Sequence, residues 1–297
     1  MKLVTYSFGQ EKDRVGLVVE NRIYPTACFG LPYGSMLELI RGITPEEKEI
    51  LKEAALHPET LPEPAGVPLS EAVLEAPIPV PDQDILCLGV NYMDHAAESA
   101  RYKNETFDGK REEAVYFSKR VTRATGCGGI IPLHDDITKK LDYESELAVI
   151  IAKDADHVKR EDAADYVFGY TVLNDVSARD VQHLHNQWYF GKSLSGFCPM
   201  GPWIVTADDI AYPPKLGVRS YVNGELRQNS NTELLIFDIG YIVEELSAGM
   251  VLRAGTVIST GTPAGVGMGM NPPCFLKKGD TVVCEIDGIG RLENTVE

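Results

Sequence analysis

No apolar run in this 297-residue chain approaches the length needed to span a membrane, and its first ten residues, MKLVTYSFGQ, lack the apolar core of a signal peptide. Cysteine is scarce. The six (Cys28, Cys87, Cys127, Cys198, Cys274 and Cys284) are scattered with no C-x-x-C spacing, which excludes zinc-ribbon and thioredoxin-like readings. Several sit in apolar runs such as ILCLG and VVCEI, where a free thiol behaves as a small hydrophobe. A reducing, cytoplasmic setting is the expectation. Positive charge is also scarce, with 28 Lys and Arg against 44 Asp and Glu, a formal net charge of −16. That balance argues against nucleic acid or an anionic membrane as a partner. An acidic substrate would need a local positive centre, either a metal or a few placed cations. There is no internal repeat and no low-complexity tract. The glycine-rich turn STGTPAGVGMG is not followed by Lys-[Ser/Thr], so it is not a P-loop.

What is present is ordinary for a globular protein: 44% hydrophobic and 24% charged residues, enough for one large domain and a small one. The segments LVTYSF, RVGLVVE and RIYPTA read as short strands, and Thr44-Pro45-Glu46-Glu47 as a capping box that opens a helix. Residues 57–84 are rich in proline and read as a linker, dividing a small β-rich domain (1–75) from the main body (76–297). From residue 85 the signals are mostly β, running from ILCLGV to RLENTV, and Asn223-Gly224 suits a type I′ hairpin turn. Helices are expected around 92–101, 177–187 and 239–249, the last ending at a C-cap glycine, Gly249. The rhythm is not βαβαβ. The fold class is α+β, strand-rich and mixed.

The chemistry-bearing stretch is LDYESELAVII, residues 141–151. Asp142, Glu144 and Glu146 alternate, so on a strand they point the same way. Like charges on a half-buried face repel and lose hydration, and a hard cation held by carboxylate oxygens would compensate them. Asp175, at the end of the apolar strand VFGYTVLND, could complete such a set if the two strands are neighbours. Spacing leaves this open against two plainer readings, a solvated strand start and a turn-capping Asp175. Ser177 with Asp180 reads as a helix start, which places Arg179 and Gln182 on one face just beyond Asp175. In HLH, His183 and His185 do not share a helical face and read as solvated or structural. In GVNYMDHAAES, His95 and Glu98 stand three apart, the spacing with which a carboxylate orients an imidazole base. A plain polar helix face is the competing reading.

Taken in order, GVNYMDHAAE, FSK, LDYESELAVII, GYTVLNDVSARDVQ, WYFGKS, CPMGPWIV, VNGELRQ and ISTGTPAGVGMG resemble the fumarylacetoacetate hydrolase family over about residues 85–296. The closest flavour is a bacterial member with a small N-terminal extension, of the 2-hydroxyhepta-2,4-diene-1,7-dioate isomerase or acylpyruvase kind. The resemblance implies a mixed β-sandwich roll, a homodimer, and an active site opening at strand ends. It implies Glu144, Glu146 and Asp175 as ligands of Mg2+, with Mn2+ or Ca2+ able to replace it, and Asp142 as a flanking acid. It implies His95, Glu98 and Lys192 as catalytic residues, and Arg179, Gln182 and Thr262 as substrate contacts. Many members carry an aspartate shortly after that lysine, whereas this chain reads GKSLSGF, with Ser195 there.

Such a site acts on a small anionic 2-oxo acid: an acylpyruvate, oxaloacetate or an unsaturated 2-oxo diacid. Chelation by the metal stabilises the enolate formed when a bond at C3 breaks, giving C–C hydrolysis, decarboxylation or tautomerisation. Two alternatives remain. One is a dehydratase of 2-keto-3-deoxy sugar acids; the other is a non-catalytic small-molecule-binding protein, against which the complete residue set counts.

Overall fold

The computed structural model describes residues 1–61, 66–110 and 112–297, and the side chains among them except that of His183. Positions 62–65 of the expected linker, and the reading of the His183 side chain, therefore lie outside the described residues.

The dominant element is one large sheet. From its outer edge it runs through Val67–Pro68, Arg22–Pro25, Glu11–Val19 and Lys2–Phe8 into Met200–Thr206. It continues through Val167–Asn174, Ser145–Ile151, Val257–Ser259 and Ile85–Gly89 to Val115–Lys119. The N-terminal strands thus join the main body directly, with Lys2 opposite Val205 and Leu3 opposite Ile204. A second sheet (Glu225–Asn231, Gly217–Val222, Thr281–Ile286, Gly290–Val296 and Ile130–Ile131) stacks on one face of the first. The architecture is the mixed, strand-rich sandwich expected, built from open sheets.

The central strand Ser145–Ile151 is buried throughout. Leu147, Val149 and Ile151 face the second sheet, against residues such as Val218, Val282 and Ile286. Ala148 and Ile150 face the other way, toward Leu3, Leu17 and Ile204. Two apolar neighbours explain why SELAVII is almost continuously apolar instead of alternating.

Local signals hold where the chemistry is local. Thr44 Oγ1 accepts from Glu47 N at 3.2 Å and Glu47 Oε2 accepts from Thr44 N at 2.9 Å, the reciprocal capping box. Asn223 (φ 52°) and Gly224 (φ 80°) both take the positive φ of a type I′ turn. Two expectations are corrected. Residues 177–187 are not one helix: Ser177–Ala178 is a short strand paired with Leu141–Asp142, followed by the short helices Arg179–Leu184 and Tyr189–Lys192. Ser177 caps nothing, because its hydroxyl donates to the Asp175 carbonyl at 2.9 Å. Asp180 instead accepts from Lys139 N at 2.8 Å, tying in the preceding loop. The second correction is smaller. Helix Ile239–Ser247 ends on Ala248, and Gly249 does not adopt a left-handed cap.

Candidate active site

Sheet topology decides what meets. Ser145–Ile151 runs antiparallel to Val167–Asn174 and to Val257–Ser259, and Ile85–Gly89 runs parallel to Val257–Ser259. The start of the first strand therefore lies beside the C-terminal ends of the other three. Register adds the detail. Ser145 pairs with Asn174, so Glu144 and Asp175 sit one step beyond, joined by a backbone hydrogen bond from Asp175 N to Glu144 O of 2.9 Å.

Glu144, Glu146 and Asp175 converge, with ligand oxygens all within 4.8 Å of one another, and all three are buried. Cations surround them. Lys192 Nζ lies 2.7 Å from Glu144 Oε2 and 2.6 Å from Asp175 Oδ2. Arg179 bonds Asp142 Oδ2 through Nε at 2.9 Å, and its Nη1 lies 2.6 Å from Glu144 Oε1. Burial alone would raise the Glu144 carboxyl, but the Lys192 and Arg179 charges outweigh it and hold the group below its usual range. Glu146 goes the other way. Burial, together with the Asp175 and Glu144 charges, pushes it well above the ordinary 4.5. One carboxyl of the set is thus kept ionised while its neighbour resists ionisation.

An all-oxygen donor set of three carboxylates suits a hard divalent cation. A second observation agrees. Asp175 Oδ1 is buried without a hydrogen-bond donor, although Lys119 Nζ is 2.8 Å away. That ammonium spends its three protons on the carbonyls of Val176, Lys192 and Phe197, at 3.0, 2.5 and 2.6 Å. The residues fit a Mg2+-like ion. Asp142 is occupied elsewhere. It accepts from Gly267 N at 2.7 Å, Met268 N at 3.0 Å and Arg179, as a flanking acid would.

His95 and Glu98 lie on the helix Met93–Lys103, with His95 Nδ1 3.1 Å from Glu98 Oε2. Glu98 is itself held by Gly265 N at 3.1 Å. The turn into this helix is unusual: Val90, a β-branched residue, has φ 58°. Asn91 pins it, donating to Phe237 O and Thr260 O at 2.9 and 2.8 Å and accepting from Phe237 N at 2.8 Å. His95, Glu144, Glu146, Arg179, Gln182 and Lys192 line one cleft. Leu88, Phe117, Trp188 and Met268 form its apolar walls. Thr262 lines it too, with its hydroxyl proton committed to Ser145 O at 3.0 Å and its oxygen accepting from Gln228 Nε2 at 2.7 Å. His185 is exposed and outside the cleft lining, as is Ser195.

Two residues at this site carried no role in the sequence reading. Lys119 offered a signal, since it is a lysine closing the strand AVYFSK, and it proves fully buried. Gln228, fully buried on the hairpin strand Glu225–Asn231, offered none.

The family model for the fumarylacetoacetate (FAA) hydrolase C-terminal domain matches residues 84–297. Oxaloacetate tautomerase YisK of Bacillus subtilis is 47% identical over 228 residues, covering 77% of this chain and 74% of that protein. Among solved structures, a fumarylacetoacetate hydrolase from psychrophilic Exiguobacterium antarcticum matches with TM-score 0.83 at 37% identity, covering 100% of this chain and 99% of that one. Maleylpyruvate hydrolase from Sphingobium sp. SYK-6, in complex with manganese(II) ion and pyruvate, matches with TM-score 0.76 at 32% identity, covering 100% and 98%.

Proposed function

The chain belongs to the fumarylacetoacetate hydrolase family, and from that premise we propose that it is a divalent-metal-dependent enzyme acting on 2-oxo acids through an enolate, with keto–enol tautomerisation of oxaloacetate as its leading reaction. The observation that carries this reading is the convergence of Glu144, Glu146 and Asp175 at the head of the cleft that also holds His95, Arg179 and Lys192. A relative 47% identical is an oxaloacetate tautomerase, and a structural neighbour binds manganese(II) and pyruvate, which supports both the ion and the substrate class.

Glu144, Glu146 and Asp175 would hold the ion. When bound, it would supply Lewis acidity that stabilises the negative charge an enolate develops. The protein's own groups do the rest. Arg179 Nη2 is buried and has no hydrogen-bond partner among the described residues, so it is free to take the substrate carboxylate. Glu98 accepts from His95 Nδ1, leaving Nε2 as the basic nitrogen toward the cleft. Nε2 takes a proton from C3 as the C2 oxygen gains charge, and returning a proton to that oxygen completes the enol. Lys192 places positive charge beside the same centre, where it favours the charge-developed state.

The test is a screen with oxaloacetate and acylpyruvates in Mg2+, in Mn2+ and in EDTA, following enol absorbance and product acids separately. Metal-dependent enol–keto exchange of oxaloacetate supports the reading. Equal rates in EDTA, or no turnover of any 2-oxo acid, would overturn it.

A further inference from the structure

The inner cations of the cleft face the carboxylate centre. Lys192 pairs with Glu144 and Asp175, Arg179 with Asp142 and Glu144, and Lys119 with Asp175. Lys103 is different. It lines the same cleft, it is exposed, and it makes no ion pair or hydrogen bond among the described residues. In a chain of net charge −16, an uncommitted cation at the mouth of an anion-binding cleft stands out.

Its placement follows from the helix. His95, Ser99 and Lys103 are four residues apart, so they share one face, and all three line the cleft. They form a row about 12 Å long along the helix axis. The row starts at buried His95, beside the carboxylate centre, and ends at exposed Lys103. Gly89 and Trp188 also line the cleft, packed so closely that a Cβ at Gly89 would be 2.3 Å from Trp188 Cζ3. The row joins the carboxylate centre to an uncommitted cation, so an acid lying along it would meet an anion-binding group at each end.

We propose that Lys103 is a specificity-determining residue that binds a second, distal carboxylate, so that the site takes 2-oxo dicarboxylic acids in preference to 2-oxo acids with an uncharged tail. The inference rests on the reading that a 2-oxo acid binds at the carboxylate centre. With one substrate carboxylate at that centre, a second one entering a partly dry cleft loses hydration and needs a charged partner. Lys103 is the cation left to supply it. The plain alternative is a lysine that only complements the C-terminal dipole of its helix. It predicts no change in ligand preference when Lys103 is replaced.

The experiment is calorimetric titration of the Mn2+-loaded protein with 2-oxoglutarate and 2-oxopentanoate, which differ only in the terminal carboxylate. Wild type should bind the diacid more tightly, and rising salt should weaken that advantage. Lys103→Met should weaken 2-oxoglutarate about tenfold, as expected for loss of a charge-assisted hydrogen bond, and leave 2-oxopentanoate nearly unchanged. Lys103→Arg should keep the preference. Lys103 is exposed at a helix end, so both variants should melt with the parent. Equal shifts for both ligands in Lys103→Met, or no shift for either, would overturn the proposal. If wild type bound neither acid, the 2-oxo acid reading of the site would itself fail, and this inference with it.

Discussion

Replacing Lys192 with methionine tests the electrostatic logic of the centre. The side chain is 2% exposed and its ammonium touches Glu144 and Asp175 at 2.7 and 2.6 Å. Removing one partner of a buried ion pair leaves uncompensated charge and costs about 3–5 kcal/mol. At about 2.1 cal/mol/K of unfolding entropy per residue, 297 residues give roughly 0.6 kcal/mol/K, so the melting temperature in EDTA should fall by about 5–8 °C. The sign of the pH dependence follows from Glu144. Its folded carboxyl is held below the ordinary 4.5, so its stabilising contribution is present above that pH and is lost as pH falls. The Lys192→Met deficit should therefore be largest near neutral pH and should shrink on acidification. Saturating Mn2+ returns positive charge to the same carboxylates and should raise the variant's melting temperature more than the parent's. Calorimetry at neutral and acidic pH, each with EDTA and with Mn2+, reads all of this. A variant within about 1 °C of wild type in EDTA would refute the reasoning, as would a deficit that Mn2+ leaves unchanged.

Glu146 supplies the opposite sign: its raised folded value means that its contribution is present below pH 4.5 and is lost as pH climbs toward that value. Mn2+ binding should therefore release protons in this window, read by calorimetry in two buffers of different ionisation enthalpy, and Mn2+ affinity should rise with pH. Glu146→Gln should abolish the release and weaken Mn2+ by about 100-fold or more. It should leave the metal-free protein at least as stable as the parent at neutral pH, since the amide can still accept from Ser259 and Gly261. His95→Ala should remove oxaloacetate tautomerisation by about 10²–10⁴-fold, the usual contribution of a positioned base, while Mn2+ affinity measured by titration stays close to wild type. Lys192→Ala assayed under saturating Mn2+ should lower kcat more than it raises KM, because its partner charge appears mainly in the transition state.

Several features were legible without coordinates because their causes are local. The alternation Asp142, Glu144, Glu146 is a property of an extended chain, and the His95/Glu98 spacing is a property of a helix; both needed only a period. The Thr44–Glu47 box and the Asn223-Gly224 turn are likewise closed within a few residues. Composition and net charge narrowed the partner class. Tertiary structure decided what the periods faced. Glu144 and Asp175 meet because Ser145 pairs with Asn174 across an antiparallel ladder, a register that no local signal encodes. The expected helix at 177–187 failed for a related reason: Ser177–Ala178 pair with Leu141–Asp142, and long-range pairing overrode local propensity. Lys119 and Lys103 make the same point from opposite directions. As letters, both are surface lysines. The carbonyls of Val176, Lys192 and Phe197 enclose Lys119 beside Asp175, while the helix that carries Lys103 places it at the cleft. Burial and partnership are sums over distant segments, so they are fixed only when the chain has closed on itself.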